Sequence, residues 1–188
     1  MIYCPQQHSR ETPISSTAAH TAGGGPIITR NFILLVTGGF NFYTSMWLVM
    51  LCLPPYVLQL GGSESQIGLV LSAFAFTALL SRPLVGRAVD TLGCKGVALA
   101  GCAVFAVSPI LYFFAPSTSV LIAARLFHGL GISFFGTAGM TWVADIAPPT
   151  RRAEALGLYS NTSQIAIALA PLFGALIFDR GGFDSLFL

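Results

Sequence analysis

Charge is scarce in this sequence. Lys, Arg, Asp and Glu make up 9% of 188 residues, against about 25% in soluble domains. That shortage excludes a water-soluble helical bundle, whose helices would carry polar residues every few positions on their outer faces. The few charges nearly cancel, at a formal +2, and no run of Lys or Arg makes a basic patch, so no nucleic-acid partner is expected. Cysteine is sparse as well. Cys4, Cys52, Cys94 and Cys102 form no CxxC pair, which argues against a zinc site and a disulfide framework. Cys52 and Cys102 fall in apolar runs and read as small buried residues. HExxH, GxSxG and paired carboxylates within the apolar runs are missing, so enzyme chemistry and cofactors are not expected. No loop between those runs has the character of a selectivity filter, which argues against a channel. The first thirty residues also lack the apolar block of a secretory signal.

What is present is apolar, and it comes in blocks. Hydrophobic residues make up 54% of the chain. No charge interrupts Arg30 to Glu64, Glu64 to Arg82, Lys95 to Arg125, Arg125 to Asp145, or Glu154 to Asp179. A helix needs roughly 20 apolar residues to cross a bilayer core, and helices satisfy their own backbone groups in lipid. The expectation is an all-α membrane protein with five transmembrane helices, over about 31–58, 65–85, 95–114, 119–146 and 154–178. Residues 185–188 read as the start of a sixth. Residues 1–30, rich in Ser, Thr, Gly and Pro, read as a disordered tail, and residues 31–188 as one helical half-domain. With the tail in the cytoplasm, Arg10, Arg30, Arg82, Arg87, Lys95, Arg151 and Arg152 lie inside and only Arg180 outside. That asymmetry places the N-terminus in the cytoplasm.

Two cytoplasmic stretches concentrate the charge. GRAVDTLGCK holds Gly86, Arg87, Asp90, Gly93 and Lys95, and DIAPPTRRAEALG holds Asp145, Arg151, Arg152 and Glu154. Gly86 and Gly93 permit a tight connection. Asp90 can cap the next helix or pair with an Arg, while Arg87 and Lys95 can anchor helix ends at anionic headgroups. Pairing of Asp90 with Arg151 or Arg152, and of Asp145 with Arg87, would make a latch closing one face, breakable when helices rock.

Inside the spans, polar groups are few. Arg125 sits about two turns into the fourth span, where a charge costs about 2.5–3.5 kcal/mol on insertion scales and usually faces a cavity or a partner. It reads either as an anion contact or proton-coupling group, or as a side chain snorkelling to the outer interface. His128 lies three residues on, as a proton site or a hydrogen-bonded packing residue. Thr37, Asn41 and Ser45 form one polar stripe, and Asn161 with Gln164 another. Each can line a cavity or bond to a neighbouring helix. Ala166, Ala170 and Gly174 form a small-residue ridge suited to close packing, and Pro171 loosens the helix there.

Gly86-x-x-x-Asp90-x-x-Gly93-x-Lys95 resembles the signature turn between the second and third helices of the major facilitator superfamily, with Thr91 and Cys94 at positions that are often basic. Arg125-x-x-His128-Gly129-x-Gly131 is similar to its fourth-helix motif. Residues 148–157 are similar to its link into helix five, and Ala170-Pro171-x-x-Gly174 resembles the fifth-helix motif of its antiporter branch. The resemblance implies a bundle of the major facilitator type, here an incomplete N-terminal half of a twelve-helix protein. It implies a multi-pass protein of the cell membrane, a small-molecule substrate, protons as the coupling ion, and efflux by alternating access. The missing C-terminal half, or a second chain, would be the partner that completes the cavity. Uptake of a sugar or organic acid, and a non-transporting assembly role, are the alternatives.

Overall fold

The computed structural model describes residues 25–181. The expected tail up to residue 24, and the expected beginning of a sixth span, lie outside the described residues. Ile27, assigned to that tail, is buried against the cluster of Phe32, Val143, Ala147, Ala155 and Tyr159.

The described residues form four α-helices and one 3-10 turn. Helix α1 is Arg30–Gln59, capped by Thr29, whose hydroxyl accepts from the Phe32 amide at 3.3 Å. Pro54 and Pro55 lie within it. They remove two backbone donors, yet the helix runs to Gln59 before turning through Gly61, whose φ of 75° suits glycine. Helix α2 is Glu64–Phe113, begun by Ser63, whose amide donates to the Gln66 side chain at 2.9 Å. Helix α3 is Thr118–Ile146. After Pro149–Arg151 in a 3-10 turn, α4 is Arg152–Gly181.

Helix α2 holds both expected spans as two helical arms, and corrects only the ten-residue turn expected between them. Its 50 residues would reach roughly 75 Å if straight, far beyond an apolar core of about 30 Å. The reversal is made by a single residue, Gly93, with φ 78° and ψ 156°, a backbone conformation essentially confined to glycine. Residues 86–92 remain helical, with Gly86 unstrained and the Thr91 hydroxyl donating back to the Arg87 carbonyl at 3.0 Å. A charged residue does not break a helix; it only has to rise beyond the hydrocarbon.

Both arms of α2 pack on α3, and glycine makes the approach possible. A Cβ on Gly129 would stand 2.5 Å from the Phe74 carbonyl oxygen of the first arm. One on Gly101, in the second arm, would stand 2.6 Å from the Phe135 amide nitrogen. Small residues at such crossings let helices associate by van der Waals contact in lipid. Phe42 of α1 stacks on Phe135 with ring centroids 3.9 Å apart and meets Phe105 at 4.2 Å, tying α1 to that pair. Helix α4 packs chiefly along α1. The outer surface is apolar: Leu79, Leu84, Leu92 and Leu99 are all at least 60% exposed, a surface suited to acyl chains rather than water. Among the described residues, three helices (α1, α2 and α3) are long and apolar enough to cross a membrane.

Candidate functional site

The arginine of α3 is sealed inside the bundle. Arg125 is 1% exposed, which rules out snorkelling in this structure. Its guanidinium lies 4.5 Å from the centroid of Phe74, donates from Nε to the Val70 carbonyl at 3.4 Å, and points one nitrogen at Met50 Sδ, 3.1 Å away. These partners come from α1 and the first arm of α2. A ring face, a carbonyl and a thioether all present negative potential to a cation. No carboxylate pairs with Arg125 among the described residues.

His128, also fully buried, completes this cluster. Its Nδ1 meets the Tyr112 hydroxyl and lies 3.5 Å from an Arg125 nitrogen. A guanidinium can only donate, so Nδ1 is the acceptor and the ring hydrogen sits on Nε2. That second nitrogen has no hydrogen-bond partner among the described residues. Phe105 packs against the ring at 4.3 Å. Tyr112, Phe74, Met50 and Val70 were not singled out from the sequence, where each is one more apolar residue in an apolar run. Only the crossing geometry gathers them around Arg125.

A cavity of about 600 Å³ lies where α1, the first arm of α2, α3 and α4 converge. It is lined by Tyr43, Met46, Ala78, Arg82, Ile132, Ser133, Gly136, Thr137, Met140 and Ser163. Arg125 and His128 are about two turns and one turn, respectively, before its α3 wall, and are not among its lining residues. The two polar stripes point elsewhere. Asn41 and Ser45 are exposed, and Asn41 donates to the Thr37 carbonyl at 2.9 Å. Tyr43, two residues from Asn41 and so about 200° around the helix, faces the cavity instead. Asn161 and Gln164 are exposed, and Ser163 lines the cavity between them. Ala166 and Ala170 are buried. Gly174 lies against α1, where a Cβ would stand 3.2 Å from a Leu51 methyl. Pro171 is exposed within α4.

The charged stretches do not pair as expected in this conformation. Arg151 forms a two-pronged ion pair with Glu154 at 2.8 and 2.9 Å, three residues away and exposed. Local geometry favours it, because one turn of chain already holds the two groups together. No ion pair joins Asp90 to Arg151 or Arg152, or Asp145 to Arg87, among the described residues. The bridge between the two stretches is Cys94, whose thiol donates to Asp145 Oδ2 at 3.6 Å. Lys95, next in sequence, is exposed.

Known proteins give this geometry its context. The model of the Major Facilitator Superfamily matches residues 35–188. Multidrug resistance protein 2 of Bacillus subtilis is 27% identical over 150 residues, covering 80% of this chain and 38% of that protein. An uncharacterized MFS-type transporter of Methanocaldococcus jannaschii is 26% identical over 132 residues, 70% of this chain and 34% of that one. Quinolone resistance protein NorA of Staphylococcus aureus is 28% identical over 152 residues, 80% of this chain and 39% of its own length. The chain thus spans less than two-fifths of these relatives. With apolar spanning helices and a family match over most of its length, it is a multi-pass membrane protein of a transporter family, not an enzyme family, and belongs to the Major Facilitator Superfamily.

Proposed function

We propose that the protein is the N-terminal half of a secondary transporter that works by alternating access and expels small organic molecules in exchange for protons. The observation that carries this reading is the four-helix cavity beside a sealed cation. Arg125 has no carboxylate partner among the described residues, and an intramembrane charge without a structural counter-ion is a functional group by default. The relatives named for multidrug and quinolone resistance support efflux, since removal of a drug is a direct route to resistance. On this reading α4 is a fifth crossing and the N-terminus is cytoplasmic. The polar stripes at Asn41 and Ser45, and at Asn161 and Gln164, face the half that completes the central cavity. Gly93, with Gly86, Arg87, Asp90 and Lys95 on one side and Asp145, Arg151 and Arg152 on the other, forms the cytoplasmic hinge. Pro171 and Gly174 supply the bend and close packing that α4 needs against α1.

His128 gives Arg125 a reason to respond to protons. Its Nδ1 lone pair receives both neighbouring donors, so a proton arriving there must displace Arg125 and reverse the Tyr112 hydroxyl. The test is proton-gradient-driven flux in inside-out membrane vesicles carrying this chain together with the half that completes its cavity, with two dyes of opposite charge, ethidium and carboxyfluorescein. Wild type is expected to move at least one of them. Arg125→Ala is expected to lower that rate by roughly tenfold or more. Unchanged flux in the variant removes Arg125 from the mechanism, and no flux of either dye with wild type overturns the transporter reading.

A further inference from the structure

We propose that the four-helix cavity takes amphipathic organic anions, seated by Arg82. This deepens the transporter reading and rests on the cavity being the substrate path. Arg82 is exposed on the first arm of α2 and is the only ionised side chain among the described residues that line the cavity. It makes no ion pair among the described residues. Among the described residues, no carboxylate lines the cavity. Arg125, the buried guanidinium of the same bundle, also lacks an acidic partner among the described residues. A fixed cation with unspent donors calls for a carboxylate, sulfonate or phosphate, which a guanidinium can grip with two parallel hydrogen bonds.

The rest of the lining suits an apolar body. Met46 and Met140 are unbranched, polarisable side chains that adapt to varied shapes, and Tyr43 offers a ring. Ser133 supplies a second polar point. It is 4% exposed, it lines the cavity, and its hydroxyl has no hydrogen-bond partner among the described residues. The volume of about 600 Å³ lies within the range of pockets that hold drug-sized molecules, roughly 300–1,000 Å³. A cationic substrate would meet Arg82 with no neutralising group on this side.

The test is equilibrium binding to the purified full chain in lipid nanodiscs, followed by dye anisotropy. Carboxyfluorescein, an amphipathic anion, is expected to bind roughly tenfold or more tightly than ethidium. Arg82→Gln should remove that preference, Arg82→Lys should keep part of it, and Ser133→Ala should weaken carboxyfluorescein severalfold. Helical circular dichroism verifies the fold of each variant, and with wild type alone added salt should weaken carboxyfluorescein and not ethidium. Equal or tighter ethidium binding by wild type, or unchanged carboxyfluorescein binding in Arg82→Gln, overturns the proposal. The two readings fail separately. If vesicles move ethidium while carboxyfluorescein neither binds nor moves, the anion site falls and the transporter stands. If carboxyfluorescein binds through Arg82 but neither dye moves, the transporter falls and the site stands.

Discussion

At the scale of single residues, Arg125 shows how function and stability can pull apart. A buried charge without an opposite charge is stabilised only by dipoles and a ring face, and apolar replacements of similar volume at buried ionic sites are often neutral or stabilising. Arg125→Met should therefore melt in detergent at the same temperature as wild type or higher, while dye flux falls as in Arg125→Ala. A lower melting temperature together with normal flux would make the arginine a structural residue. Gly93 makes the opposite case. Its φ of 78° and ψ of 156° strain any residue that carries a Cβ, even though nothing stands within 4 Å of that position, and Gly93→Ala should lose about 1–3 kcal/mol, read as a lower melting temperature. The sequence flagged both residues, Arg125 because charge is rare in an apolar run and Gly93 because it sits in a charged cluster. It could not reveal the partners of Arg125, since Phe74, Met50 and Val70 look like every other lipid-compatible residue. Arg82 was legible as a charge and was counted toward orientation, with no cavity role read from it.

Among the helices, existence and length were readable because the apolar blocks match the bilayer. The place of the α2 reversal was legible too, within residues 86–95, but its confinement to Gly93 was not, because the pattern marks where charge begins and not where helical backbone ends. Helix faces were the least legible feature. In water a helix declares its buried side through polar contrast; in lipid both sides are apolar, and small residues identify the packed side instead. That inversion explains why the Asn41 and Asn161 stripes point away from the cavity while Gly129 and Gly101 mark the α2–α3 contact. Gly129→Ala and Gly101→Ala should each lower stability by about 1–3 kcal/mol through overpacking. Gly86→Ala, where a Cβ would meet nothing within 4 Å, should leave the melting temperature unchanged or slightly raised. Equal effects at all three positions would mean that the crossings are not close-packed.

For the whole molecule, the membrane assignment has a direct check. Both charged stretches should lie on the cytoplasmic side. In a cysteine-free background, Thr150→Cys, exposed in the short turn after α3, should react with an impermeant maleimide only after cells are opened, and Ser63→Cys, between α1 and α2, in intact cells. The reverse pattern would invert the topology. The single-residue reversal at Gly93 has a further consequence for how the protein can be cut. Trypsin needs several residues of extended, accessible chain. Arg87 and Lys95, although basic and exposed, are offered on intact helix on either side of one glycine. The Lys95 bond should therefore outlast any tryptic site in a true loop, and the two arms should leave a digest as one uncut piece.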